Sequence, residues 1–144
     1  MRSHRVGIVI PARNEAALLQ RCLRSILRAA DHARAECFVV LVDDGSSDGT
    51  AHIARAMLPL GTGFVLSVNR GNVGAARAAG VEHLLTVGAA AHLWVACTDA
   101  DTVVPKTWIS GQLTHANAGA DAVAGLVDVD CPRGSALRHA FAKS

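Results

Sequence analysis

Two apolar runs end in acid. Leu93-Trp94-Val95-Ala96-Cys97-Thr98 leads into Asp99-Ala100-Asp101, and Phe38-Val39-Val40-Leu41-Val42 leads into Asp43-Asp44-Gly45-Ser46. Carboxylates delivered at the carboxyl ends of buried-type strands lie at the rim of an open α/β sheet, where such sheets bind ligands. Paired acids there suit a hard divalent cation, and such cations usually hold substrate phosphates. In an extended segment residues i and i+2 point the same way. Asp99 and Asp101 could therefore face one ion, or divide between the ion and a ribose hydroxyl. The chemistry on offer is charge compensation of a diphosphate and stabilisation of a leaving group. A solvated loop is the plainer alternative.

Three further segments belong beside these acids. Asp43 to Thr50 reads either as a polar turn with Asp48 as a helix N-cap or as a strand-end carboxylate that accepts hydrogen bonds from a nucleobase or ribose. Gly45 and Gly49 would let a backbone approach closely. A calcium loop fails, because its twelfth position is Ala54 rather than a bidentate acid. Gly71-Asn72-Val73-Gly74-Ala75-Ala76-Arg77-Ala78-Ala79-Gly80 opens a helix. A Gly-rich helix start suits anions, and Arg77 could reach a phosphate or pair with an acid. The same small side chains suit close helix–sheet packing. The string is not GxGxxG, so the dinucleotide fingerprint is absent. Pro11-Ala12-Arg13-Asn14-Glu15 is a strand-to-helix turn at the same rim.

Elements that could position these loops are legible from periodicity. Strands are expected at 6–10 (halted by Pro11), 36–42, 64–68, 93–97 and 122–129. Leu18, Leu19, Cys22, Leu23, Ile26 and Leu27 recur at helical spacing after a start at Arg13 or Asn14, with Glu15 in the first turn. Further helices are expected from Asp48 to about Leu58, over 73–87, and from Pro105 to about Ala118. Strands alternating with helices mean βαβ units and a mostly parallel sheet. The tail, 131–144, reads as a loop and a helical stub that leaves the domain incomplete.

The chain has 144 residues, enough for one domain with its own core. It is 51% hydrophobic but only 3% aromatic, so Ala, Val and Leu must fill that core. A formal charge of +2, with scattered arginines, gives no argument for a nucleic-acid surface. The seven histidines lack metal-ligand spacing. Cys22, Cys37, Cys97 and Cys131 are far apart without a CxxC, and Cys37 and Cys97 read as small core residues. No leader is visible and no stretch is apolar for the roughly 18 residues a membrane span needs. A reducing, cytoplasmic setting is expected.

With these four segments in this order, the chain resembles the family 2 glycosyltransferases of GT-A fold. The family pattern runs P-x-x-N-E, D-D-G-S-x-D-x-T, G-x-x-x-A-R-x-x-G and D-x-D. Here it falls on Pro11 to Glu15, Asp43 to Thr50, Gly71 to Gly80 and Asp99 to Asp101. The match covers about residues 5–130. The resemblance implies a Rossmann-like three-layer α/β/α sandwich with a mostly parallel sheet. It also implies a nucleotide-sugar donor of UDP, GDP or dTDP type and transfer of the sugar to an acceptor hydroxyl. Pro11, Ala12 and Arg13 would line the base pocket. Glu15 would contact the nucleotide or order that loop. Asp44, and with it Asp43, would bind the base. Gly74 and Arg77 would lie near the base or diphosphate. Asp101 would ligate Mn2+ or Mg2+, with Asp99 and Ala100 beside the ribose or the metal.

The family's acceptor pocket and acidic general base, often in an E-D pair, lie beyond the D-x-D strand. After Asp101 this chain has only Asp121, Asp128 and Asp130, none in such a pair. Asp128 and Asp130 are the remaining candidates for the base. The chain thus looks like the donor-binding half of a GT-A domain. A noncatalytic or partner-dependent nucleotide-sugar-binding half-domain is the alternative, and a homo-oligomer is compatible with either. A haloacid-dehalogenase-type phosphatase would explain Asp99-Ala100-Asp101-Thr102-Val103 but requires its second acidic motif downstream, whereas the double Asp here comes earlier.

Overall fold

A computed structural model describes residues 4–87 and 92–128. Four strands, β1 (Arg5–Ala12), β2 (Glu36–Asp44), β3 (Gly63–Val68) and β4 (Leu93–Cys97), form one sheet in the order β3-β2-β1-β4. Every pairing is parallel, in the registers Arg5↔Glu36, Arg5↔Leu93 and Val39↔Gly63. The helices α1 (Ala16–Ala33), α2 (Thr50–Met57) and α4 (Trp108–Asn117) share one face, and α3 (Val73–Thr86) covers the other. This is the expected three-layer α/β/α sandwich.

β2 shows why the middle strands read as unbroken apolar runs. Val39 and Leu41 enter the core under α1, whereas Val40 and Val42 enter the core under α3. Side chains alternate between faces along a strand, and here both faces are covered. On α1, Leu19, Cys22, Leu23, Ile26 and Ala29 are buried at spacings of three and four. Burial of each large member stabilises the fold by about 1.5–3 kcal/mol. α1 ends at Arg34 in the left-handed region, φ 52°.

α3 is held differently. Its stripe of Ala76, Ala79 and Gly80 brings its backbone onto the sheet. A Cβ on Gly80 would lie 2.5 Å from Val9 Cγ1 and 2.9 Å from Val42 Cγ2. The small residues therefore serve close packing, the second of the two readings the sequence left open for them.

Some boundaries differ from expectation. β1 runs through Pro11 to Ala12. Pairing with β4 stops at Val9↔Cys97, so beyond that point β1 has a free side and a proline interrupts no ladder there. α4 begins at Trp108, after a turn closed by Trp108 N–H donating to the Pro105 carbonyl at 2.9 Å. The fifth strand is not formed over 122–128. These residues are exposed and unpaired, with Leu126 103% and Val127 80% exposed, and a strand needs a neighbouring ladder to satisfy its amides. Residue 129, the tail 131–144 and Cys131 lie outside the described residues. Cys97 is exposed rather than core, because it closes an edge strand; among the described residues the buried thiol is Cys22.

Candidate functional site

The strand order reverses between β1 and β4, and the loops leaving their carboxyl ends part there. Such a switch point opens a crevice. A cleft of about 410 Å³ occupies it. Pro11, Ala12, Arg13 and Glu15 form one wall, and Asp99, Ala100 and Asp101 another. Asp44 and the start of α3 (Gly71, Asn72, Val73, Ala76 and Arg77) close the back. All four motif segments thus converge on one cavity. A larger hollow of about 670 Å³ lies at the opposite, amino end of β1 and β4, between His4, His92, Trp94 and the end of α4. It holds a single acid, Asp121. The paired acids and the arginines lie in the smaller cleft.

The loops after β1 and β2 are stitched into one seam. Asn14 N–H donates to Ser46 Oγ at 2.9 Å, and Ser47 N–H donates to Asn14 Oδ1 at 2.8 Å. Asn14 holds φ 52° to do so, a conformation asparagine tolerates. Asp48 caps two helices at once, accepting from Thr50 N–H at 3.0 Å and from Ala16 N–H at 3.2 Å. Its carboxylate also accepts a hydrogen bond from the Thr50 hydroxyl. Thr50 Oγ1 in turn accepts from Glu15 N–H at 3.0 Å. The helix caps are formally Glu15 for α1 and Gly49 for α2, one residue from the expected positions. Nothing local signals this seam, since its partners are 32 to 35 residues apart.

Asp43 and Asp44, adjacent on β2, point to opposite faces. Asp43 is buried on the α1 side, where it accepts from Ser46 N–H at 3.3 Å. It does not line the cleft. Asp44, on the α3 side, accepts from three consecutive backbone amides: Arg70 at 2.6 Å, Gly71 at 3.2 Å and Asn72 at 3.2 Å. Gly71 holds φ 63°, which helps turn these amides inward. Such a concave run of N–H groups is an anion site. The chain's own carboxylate fills it, so the turn into α3 is not open to a phosphate. Those amides, Arg70 first, hold the Asp44 carboxyl below the ordinary carboxylate range despite burial, and Arg13 lowers it further. Gly74 is not on the cleft wall, and a Cβ there would meet the Asn72 carboxamide at 3.2 Å. Asn72 caps α3 by accepting from Ala75 N–H at 2.9 Å.

The acids after β4 are arranged otherwise. Thr102 N–H donates to the Asp99 carbonyl at 3.1 Å, so the segment is a turn and not the extended strand end the spacing implied. Ala100 is buried in the core beneath, and both flanking carboxylates are left exposed. Asp99 lies 3.5 Å from the Arg77 guanidinium, and Thr102 Oγ1 reaches Asp101 Oδ1 at 3.5 Å. Burial raises the Glu15 carboxyl, and so do the charges of Asp101, Asp48 and Asp99 in that order. Glu15, Asp99 and Asp101 thus form an electronegative rim answered by Arg77 and Arg13. Among the described residues no three His, Cys, Asp or Glu side chains gather into a complete metal cage. A pair of exposed hard oxygens is a donor set that suits Mg2+ or Mn2+ shared with a phosphate.

Of the expected site residues, the cleft collects Pro11, Ala12, Arg13, Glu15, Asp44, Arg77, Asp99, Ala100 and Asp101. Asp43 and Gly74 stand outside it. Asp128 lies in the exposed segment after α4 and does not line the cleft, and Asp130 is outside the described residues. Gly71, Asn72, Val73 and Ala76 were not anticipated as wall residues. Their signal is the helix start itself, because the first turn of α3 must face the crevice.

A four-stranded parallel sheet with an acidic, arginine-flanked cleft at its switch point is a GT-A-type α/β domain. The profile of Glycosyl transferase family 2 matches residues 7–141, and the chain belongs to that family. It is 31% identical over 139 residues to "Glycosyltransferase AglE" of Haloferax volcanii, covering 94% of this chain and 43% of that protein. It is 37% identical over 122 residues to the undecaprenyl-phosphate 4-deoxy-4-formamido-L-arabinose transferase of Shewanella sediminis, covering 82% of this chain and 35% of that one. The crystal structure of S. aureus TarS 1-349 in complex with UDP superposes with a TM-score of 0.63 at 24% identity, over 79% of this chain and 32% of TarS 1-349. The chain therefore spans less than half the length of these relatives.

Proposed function

We propose that the chain is the donor-binding part of a glycosyltransferase that takes a sugar from a nucleoside diphosphate and passes it to an acceptor hydroxyl. The observation that carries this reading is the meeting of four loops in one cleft, with Asp99 and Asp101 exposed beside Arg77. The base lies against Pro11, Ala12 and Arg13. The diphosphate lies toward Arg77 and the acidic turn. Asp101, supported by Asp99, would hold Mg2+ or Mn2+. That ion supplies charge compensation for the departing nucleoside diphosphate. Arg77 turns one guanidinium edge toward Asp99 and can meet phosphate oxygens with the rest. We assign no general base, since Asp128 is not among the residues that line the cleft. The free thiols Cys22, Cys37 and Cys97 suit a reducing, cytoplasmic compartment. Among the described residues no helix is long and apolar enough to cross a membrane.

A thermal-shift screen of UDP, GDP and dTDP, each with and without Mn2+, tests the reading. Ligands that bind the folded state raise its melting temperature. A metal-dependent rise with one nucleotide, lost in Asp101→Ala, is expected. No response to any of the three, with metal present, would sink the proposal.

A further inference from the structure

The arginines look scattered along the sequence, but α1 aligns three of them. Arg21, Arg24 and Arg28 are all exposed. Spacings of three and four put them on one line of the helix, and His32, four residues on, continues it. From Arg21 to His32 the line is roughly 16 Å long. The opposite face of α1 is the buried one. None of the three guanidiniums has an ion pair or hydrogen bond within the described residues, whereas Arg5 and Arg77 are each paired with an acid. The helix carries one acid, Asp31. Beside it in the same layer, α2 exposes His52 and Arg55 and has no acid.

We propose that this outer face of α1 and α2 is a docking surface for an anionic lipid bilayer. Clusters of basic side chains on a helix are drawn to a negatively charged membrane surface. The attraction is one of positive charge, which arginine and lysine share, and amounts to about 1 kcal/mol per basic residue near the surface. Two helices in one layer present their charges side by side, as a planar partner requires. A nucleic acid fits less well, because neither helix contains a Phe, Tyr or Trp on which a base could stack. A protein partner would want an apolar or aromatic centre, and α1 exposes one large apolar side chain, Leu18, at 41%. Docking would also place the cleft, because Glu15 on its wall is the residue that caps α1. Laid flat, α1 would hold the cleft mouth within one helix length of the lipid headgroups. This inference rests on charge placement alone and does not depend on the identity of the donor.

Flotation of the full chain with vesicles tests it. Binding is expected to vesicles of phosphatidylcholine containing phosphatidylglycerol, to be absent with phosphatidylcholine alone, and to weaken as salt screens the surface. The triple variant Arg21→Gln, Arg24→Gln, Arg28→Gln keeps good helix formers on the surface. Its partitioning should fall about a hundredfold, about fivefold for each arginine. Its circular dichroism and melting temperature should stay at the parent's values, and the corresponding triple lysine variant should retain most of the binding. A control triple, Arg5→Gln, Arg70→Gln, Lys106→Gln, removes equal charge elsewhere and should lose little. Three results would each overturn the proposal. The parent could fail to bind anionic vesicles at low salt. The two glutamine triples could lose binding equally, which would mean net charge and not this face. Or poly-uridylate or an acidic peptide could bind more tightly than the vesicles.

Discussion

The two acidic pairs look alike in sequence and have opposite fates in the structure. Asp43 and Asp44 are 8% and 5% exposed, and their oxygens are committed to four backbone amides of the turns beside them. Asp99 and Asp101 are exposed, and their oxygens have only long contacts at 3.5 Å. In the first pair Asp43 closes its own turn and Asp44 ties the end of β2 to the turn into α3, and the second pair leaves lone pairs open to a ligand. A carboxylate that has already replaced its water with amides has little left to offer a cation. One that is still hydrated can exchange water for metal or phosphate. The difference comes from position in the sheet: β2 is an interior strand whose end meets the turn into α3, whereas β4, an edge strand among the described residues, is followed by the turn at 99–102.

The sharpest break of this contrast is Asp101→Ala. Metal-dependent nucleotide affinity should fall by about a hundredfold or more, the scale of a lost metal contribution. The ligand-free protein should melt at the parent's temperature, because an exposed side chain with one long contact contributes little to the fold. Titration calorimetry with and without Mn2+ reads the first effect and differential scanning calorimetry the second. Unchanged affinity would place Asp101 with Asp44 as a structural acid and erase the distinction.

Asp44→Ala should do the reverse. It leaves the amides of Arg70, Gly71 and Asn72 without their acceptor, and unmet backbone donors are costly. A melting temperature lower by several degrees is expected, with faster amide exchange over residues 70–72. Asp43→Ala, which frees one amide, should show a smaller drop. An Asp44→Ala protein that melts like the parent yet no longer binds nucleotide would make Asp44 a ligand contact first.

The same contrast predicts a direction with pH. Asp44 and Asp48 both have carboxyls held below their ordinary value of 3.8, Asp44 chiefly by the Arg70 amide and Asp48 chiefly by the Thr50 hydroxyl. Their stabilisation is fully present above that value. It is lost as pH falls through the lowered folded-state values, where protonation removes the acceptors. Thermal melts from neutral pH down to strong acid should show this limb, and Asp44→Asn with Asp48→Asn should flatten it. A double variant with an acid limb as steep as the parent's would assign the loss to other carboxylates.

Much of this was legible in the sequence, for identifiable reasons. The runs at Val39–Val42 and Leu93–Cys97 and the helical spacing from Leu19 to Ile26 fix strands and a helix because burial repeats at the period of each element. The convergence of Pro11, Asp44, Arg77 and Asp101 followed from parallel strands, which deliver all their carboxyl ends to one rim. What was hidden is what depends on partners far along the chain. Asn14 with Ser46 and Ser47, or Asp48 with Ala16, leave no local pattern. Residues 122–128 carry the composition of a strand, but composition cannot supply the neighbour a strand needs. Gly74 and Asp43 were expected in the site because they stand in the right strings, yet each string has two faces.

Gly74 sets the smallest and most discriminating test. It lies in the first turn of α3, between Val73 and Arg77, which both line the cleft. If membership of the glycine string were enough, Gly74→Ala would crowd the ligand and weaken nucleotide binding. The structure says otherwise, since Gly74 does not line the cleft and an added Cβ would meet the Asn72 carboxamide at 3.2 Å. That carboxamide is the far end of a side chain and can yield by the few tenths of an ångström required, lengthening its cap bond from Ala75 N–H slightly. Alanine also favours helix over glycine by roughly 0.8–1 kcal/mol in a helix interior, and by less this close to the cap. Nucleotide affinity should therefore stay within about twofold of the parent, below roughly 0.4 kcal/mol, and the melting temperature should change by no more than a degree or two. Gly80→Ala makes the useful counterpart. Its Cβ would meet Val9 and Val42 on the sheet, and overpacking of this kind costs about 1–3 kcal/mol. Loss of affinity in Gly74→Ala at unchanged stability would show that the first turn of α3 touches the ligand through its backbone, and the boundary drawn here between cleft wall and scaffold would move by one residue.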